Sequence, residues 1–218
     1  MPYPRLPLTR WRLWAPRGAV LVNVNPQQIV YRKRWQEWPA YLKRWPFWII
    51  GGDWDAGGRE LPPFRVEQMR ELLAAEGAFR DTPYYAAACA ELEQNGFIAE
   101  PYLTSRASLD AYLDRQVKIL LDIREHGYAP QRELGGKRSH DLTVRIDRQG
   151  RLVKCREGTH RHAMLLALGV QEAPVTVDVV HTEWARACYR RFGGPLATAL
   201  RQGLEADYGP VLEWPWSR

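Results

Sequence analysis

Apolar positions change period along the chain. Between residues 66 and 126 they recur at intervals of three and four, the spacing of a helix face. Ser105 to Glu125 is the strongest such segment: Leu109, Tyr112, Leu113, Gln116, Val117, Leu120 and Arg124 keep the 3-4 rhythm, and Gly127 stands just past the end. Val66–Glu76 and Thr82–Gln94 predict two shorter helices. The second is capped by Asp81 or Thr82, has Pro83 in its first turn and stops at Asn95-Gly96. In the last third the period becomes two. Residues 141–147 and 151–155 alternate around an Arg148-Gln149-Gly150 turn and predict a hairpin. Residues 160–168 then read as a helix ended by Gly169, residues 174–180 as a strand, and Thr182 as a helix start broken at Gly193-Gly194-Pro195.

The first sixty residues hold only short runs. Ala19 to Val24 reads as a buried strand stopped by Asn25-Pro26, and Phe47 to Ile50 as a second one. It leads into Gly51-Gly52-Asp53-Trp54-Asp55-Ala56-Gly57-Gly58, a stretch too glycine-rich for a regular element and expected to be a tight loop at a strand end. Prolines at 2, 4, 7 and 16 forbid a regular helix over residues 1–17, which predicts an extended arm. These elements predict an α/β (α+β) protein with a small mixed sheet. They predict one domain over residues 18–218, with a helical insertion at about 60–135.

Composition narrows the class. With 45% hydrophobic and 26% charged residues among 218, the chain has the balance of a globular domain. No apolar run approaches the roughly 18 residues that a membrane span needs. The first twenty residues carry arginines and prolines where a secretory signal would be apolar, so a cytoplasmic location is expected. Cys89, Cys155 and Cys188 are widely separated, with no CxxC pair, which argues against a disulfide framework or a thiolate zinc site. Lys and Arg outnumber Asp and Glu by 31 to 25, a net charge of +6 that favours polyanionic partners.

Gly158-Thr159-His160-Arg161 offers a place for such a partner. The glycine lets backbone approach a ligand closely. The next three residues occupy the first turn of a predicted helix, where unpaired N–H groups and the helix dipole attract an anion. Arg161 can grip phosphate oxygens in bidentate fashion, and His160 adds a donor. Gly135-Gly136-Lys137 is not a P-loop, because Gln131 and Arg138 break that pattern. Asp53 and Asp55, at i and i+2 in the glycine loop, can converge on one magnesium ion or divide metal binding and proton transfer between them. Glu157 precedes the cradle and can assist. His140, Asp141 and His181 are further candidates to line a site. His160 and His162 project about 200° apart on a helix and do not form a metal pair.

The stretch from Leu142 to Val180, with Ala19–Ile29 (AVLVNVNPQQI), resembles the ParB/sulfiredoxin-like fold shared with free-serine kinases. The shared order is a hairpin, a Gly-x-His-Arg turn, an apolar helix and a Pro-led strand. The resemblance covers about a third of the chain, and residues 60–135 have no counterpart. It implies nucleoside triphosphate binding, with Gly158, Thr159, His160 and Arg161 at the phosphates. Three departures narrow what it implies. Thr159 stands where sulfiredoxins carry their reactive cysteine. Residues 181–218 are too few for the DNA-binding domain of ParB proteins. Ile29–Lys33 lacks the glutamate base of free-serine kinases. A Gly-Gly-Asp-Trp-Asp loop joined to Gly-x-His-Arg also resembles uncharacterised bacterial and archaeal proteins associated with surface-polysaccharide genes, a likeness that bears on fold alone.

The expected function is therefore an ATP- or other nucleotide-dependent phosphotransferase acting, with magnesium, on a small hydroxylated metabolite or sugar. Asp53, Asp55 and Glu157 are its candidate catalytic carboxylates. One alternative is a nucleotide-sensing module that engages protein or nucleic acid through the basic Trp-rich runs at 10–14 and 31–48. Another is a metal-dependent nuclease using the paired aspartates.

Overall fold

The computed structural model describes residues 12–130, 133–135, 141–155 and 158–216, without the side chain of Trp35. Among them the chain forms seven helices and one mixed eight-stranded sheet, a mixed α/β architecture. It divides into two compact units where one domain is expected from sequence. One unit draws on residues 1–61, 129–159 and 170–218, the other on 62–128 and 160–169.

The sheet unit begins with β1 (Leu21–Val24), whose apolar run ends at Asn25. The Asn25 side chain accepts from the Gln27 backbone and starts a short 3-10 turn. Next come β2 (Tyr31–Arg32), α1 (Ala40–Arg44), β3 (Ile49–Ile50) and β4 (Arg59–Glu60). The expected strand at 47–50 thus shrinks to two paired residues, with Phe47 making only an isolated bridge to Trp14. That bridge and the bond from Trp48 N–H to Leu13 C=O dock the described end of the N-terminal arm; residues 1–11 lie outside the described residues.

The helical unit supplies α2 (Phe64–Ala74), α3 (Pro83–Asn95) and α4 (Arg106–His126). Sequence reasoning placed all three to within two residues at either end. Thr82 caps α3 by accepting from Tyr85 N–H, and Gly96 ends it in the left-handed region at φ 76°. Ser105 and Ser108 form a reciprocal capping box at the start of α4. Ser105→Ala should therefore lower stability by about 1 kcal/mol, read as a reduced urea midpoint. Met69, Leu72, Leu109, Leu113 and Leu120 are buried at or below 1% exposure and form the core of this unit.

The predicted hairpin is β5 (Thr143–Ile146) and β6 (Leu152–Cys155), paired antiparallel. Then follow α5 (Thr159–Ala167), β7 (Ala173–His181), α6 (Thr182–Phe192), α7 (Leu196–Asp207) and β8 (Val211–Glu213). The strand order is β4-β2-β6-β5-β7-β1-β8, with β3 also on β7. β7 is the axis of the sheet, lying parallel to β5 and β3 and antiparallel to β1. On one face, Trp38, Leu42, Ile50, Trp54, Val153, Cys155 and Val179 make a continuous core. Cys89, Cys155 and Cys188 are buried thiols, none in a disulfide. No described helix is long and apolar enough to cross a membrane.

Candidate functional site

Gly158 has φ +80°, and a Cβ placed there would lie 3.0 Å from the Cα of Leu142. The left-handed turn and the close backbone approach both demand glycine. The chain passes from it directly into α5, a nine-residue helix with no acidic residue in its first turn. Thr159, His160 and Arg161 are partly exposed, and His162 is buried. The two histidines thus occupy different environments, as expected from their spacing.

His160 has a partner the sequence did not reveal. Its Nε2 lies 2.6 Å from the hydroxyl of Tyr112, on the buried side of α4. Burial pushes the Tyr112 phenol up to about 12, so it keeps its proton at neutral pH. The imidazole on the first turn of α5 is therefore fixed in orientation by a neutral phenol.

Asp53 and Asp55 do converge, but on an arginine. The Asp55 carboxylate accepts from the Arg148 backbone N–H at 3.0 Å, from its Nε at 2.8 Å and from its NH2 group at 2.6 Å. The same NH2 group reaches Asp53 at 2.7 Å and the Gly52 carbonyl at 3.2 Å. Burial pushes the Asp55 carboxyl up, but the Arg148 bonds and the nearby His181 outweigh it, leaving the carboxyl below its usual range. Lys33 holds the loop from the chain side, donating to the carbonyls of Trp54 and Ala56. Burial lowers the Lys33 ammonium from its ordinary range, while Glu37 and Asp55 act in the opposite sense. His181 joins the same assembly. Its Nδ1 accepts from Glu183 N–H at the start of α6, so the ring proton sits on Nε2 and is donated to Gly52 C=O at 2.8 Å.

This donor set does not fit a resident magnesium ion. An ion between the aspartates would have to displace the guanidinium already bridging them, and no group of three metal-ligating side chains occurs among the described residues. Asp55, with a side chain 3% exposed, is a structural anchor, whereas the Asp53 side chain is 88% exposed. Glu157 and His140 lie outside the described residues, as do Gly136 and Lys137. Asp141 is buried at the mouth of the hairpin.

The Trp-rich runs also change character in three dimensions. Trp38 and Trp48 are 2% and 0% exposed, so those indoles are core and not a stacking surface. Arg145 lies over the Trp38 ring at 4.4 Å and pairs with Asp178, which accounts for a cation in the core of the sheet unit. Arg148, Tyr112 and Lys33 are the residues that sequence reasoning missed. Their partners lie 93, 48 and 21 positions away, beyond any local pattern. No protein-family model, curated protein or solved structure matches the chain.

Proposed function

We propose that this chain binds the phosphates of a nucleotide at the start of α5 and transfers a phosphoryl group to a small hydroxylated metabolite. The observation that carries the reading is the Gly158 turn. It is a left-handed glycine pressed against Leu142 and followed at once by a helix whose first turn offers Thr159, His160 and Arg161. The resemblance of residues 142–180 to the ParB/sulfiredoxin-like fold points the same way. In this reading Arg161 neutralises phosphate charge, and His160, held by Tyr112, adds a directed contact. Magnesium arrives with the nucleotide. Asp53 is the aspartate with solvent access, while Asp55 holds the loop.

The grip of Arg148 on both aspartates favours a second reading, in which nucleotide is bound and sensed without transfer. The two separate on one assay: ADP released from ATP only when a hydroxylated metabolite is added supports transfer. Unchanged nucleotide affinity in Asp53→Asn, with no turnover in either protein, supports sensing.

A thermal-shift panel of ATP, ADP, CTP and GTP with magnesium tests the shared premise, since a ligand of the native state raises the melting temperature. At least one nucleotide should stabilise the wild type. Arg161→Ala should lose about tenfold in affinity, the worth of one charge-assisted contact. A panel with no response would remove both readings.

A further inference from the structure

The helical unit carries polar groups in its core that packing does not explain. On α2, Arg65 and Gln68 share the buried face with Met69 and Leu72, at 8% and 2% exposure. Arg65 donates to Gln68 Oε1 at 2.8 Å and to the Glu100 carbonyl at 2.7 Å, and it covers the Phe64 ring. Among the described residues it has no carboxylate partner. Buried guanidinium groups are ordinarily paired with an opposite charge, because desolvating a lone cation is costly.

Two buried amides are also incompletely used. Gln116 Oε1 has no hydrogen-bond partner among the described residues, and Gln68 Nε2 reaches only the Tyr84 and Tyr112 hydroxyls, without good hydrogen-bond geometry to either. Gln116 is 6% exposed and sits one turn beyond Tyr112 on the same face of α4. Leaving such a group unpaired costs about 1–3 kcal/mol, and native cores contain few of them. Gln68 acts on both Tyr84 and Tyr112, and Arg65 acts on them too, which brings α2, α3 and α4 to one polar centre. Burial raises both phenols, so each presents a hydroxyl that can donate or accept.

We infer that Arg65, Gln68, Tyr84, Tyr112 and Gln116 form a binding site for a small hydroxycarboxylate. Each unused group calls for one feature of that ligand. The carboxylate supplies the counter-charge that Arg65 lacks and accepts from the Gln68 amide. A hydroxyl donates to Gln116 Oε1 and meets the two phenols. Because Tyr112 also holds His160, the site adjoins the first turn of α5 within this unit. Only the ligand's role as phosphoryl acceptor rests on the transfer reading; its binding is read from the helical unit alone.

The test is a thermal-shift series on the full chain with sodium glycerate, malate and gluconate, with glycerol as the uncharged control and magnesium-ATP run in parallel. Arg65→Leu is the obvious variant but endangers folding. Gln116→Leu replaces an unpaired buried oxygen with a methyl group of similar shape and should melt at or above the wild-type temperature. At least one hydroxycarboxylate should raise the wild-type midpoint by a few degrees where glycerol does not, and Gln116→Leu should lose that response. If no hydroxycarboxylate shifts the wild type, or if Gln116→Leu responds as strongly, the inference is overturned. The magnesium-ATP response reports on the nucleotide reading separately, so the two can fail independently.

Discussion

Arg148→Ala is expected to destabilise the protein by about 3 kcal/mol at neutral pH, read as a lower urea midpoint at unchanged slope. The size follows from what is left behind. Asp55 is 7% exposed and loses three donated bonds at once, so its carboxylate stays buried without compensation. The figure stands at the low end for a broken buried pair, because the guanidinium itself is partly exposed. Asp53→Ala removes a bond to a largely exposed carboxylate and should change stability by less than about 1 kcal/mol.

The pH dependence has a definite sign. In the wild type the folded Asp55 carboxyl is lowered, so its contribution is complete above the ordinary aspartate range near about 4 and fades as pH falls through the lowered value. In Arg148→Ala burial is the largest influence that remains, opposed only by His181, and it raises the carboxyl and penalises its ionised form. The gap between the two proteins is therefore full at pH 7, starts to close as pH falls through the variant's raised value and is gone below the wild type's lowered one. A gap that stays constant across that range would show that Arg148 stabilises through packing alone.

Gly158→Ala is expected to cost about 2–3 kcal/mol and to weaken nucleotide binding by more than tenfold. Two penalties coincide at this position. A φ of +80° strains any residue with a side chain, and the added methyl would meet Leu142 Cα at 3.0 Å. That neighbour is backbone and cannot swing aside, so either α5 or the start of the hairpin must shift. Gly96 provides the control, with φ +76° and open space around its missing side chain. Gly96→Ala should carry the strain penalty without the clash and should leave nucleotide binding unchanged.

Legibility in the sequence followed range. Helix α4 was readable because all its determinants are local: a serine cap, a 3-4 apolar rhythm and a closing glycine. The hairpin and β7 were readable for the same reason, through alternation over four or more residues. The strands β2 and β4 have two residues each and contain no period to detect, and β8 is hidden in a tail rich in proline and tryptophan. That α5 groups with the helices of residues 62–128 was not readable, because those helices are distant from it in sequence.

The same limit governed the site. The Gly158–Arg161 turn is contiguous and could be proposed from sequence. The aspartates looked like a metal pair because sequence displays both carboxylates but not the arginine that the hairpin turn brings to them. Trp38 and Trp48 looked like a cationic, aromatic surface because burial is decided by the sheet, not by the run in which they occur.

The most direct measurement is a calorimetric titration of magnesium-ATP, and of the other nucleotides in turn, into wild-type and Arg161→Ala protein. The account predicts saturable binding to a single class of sites for at least one nucleotide, weakened about tenfold or more by the substitution. Wild-type protein that takes up no nucleotide, or a variant that binds as tightly, would contradict it.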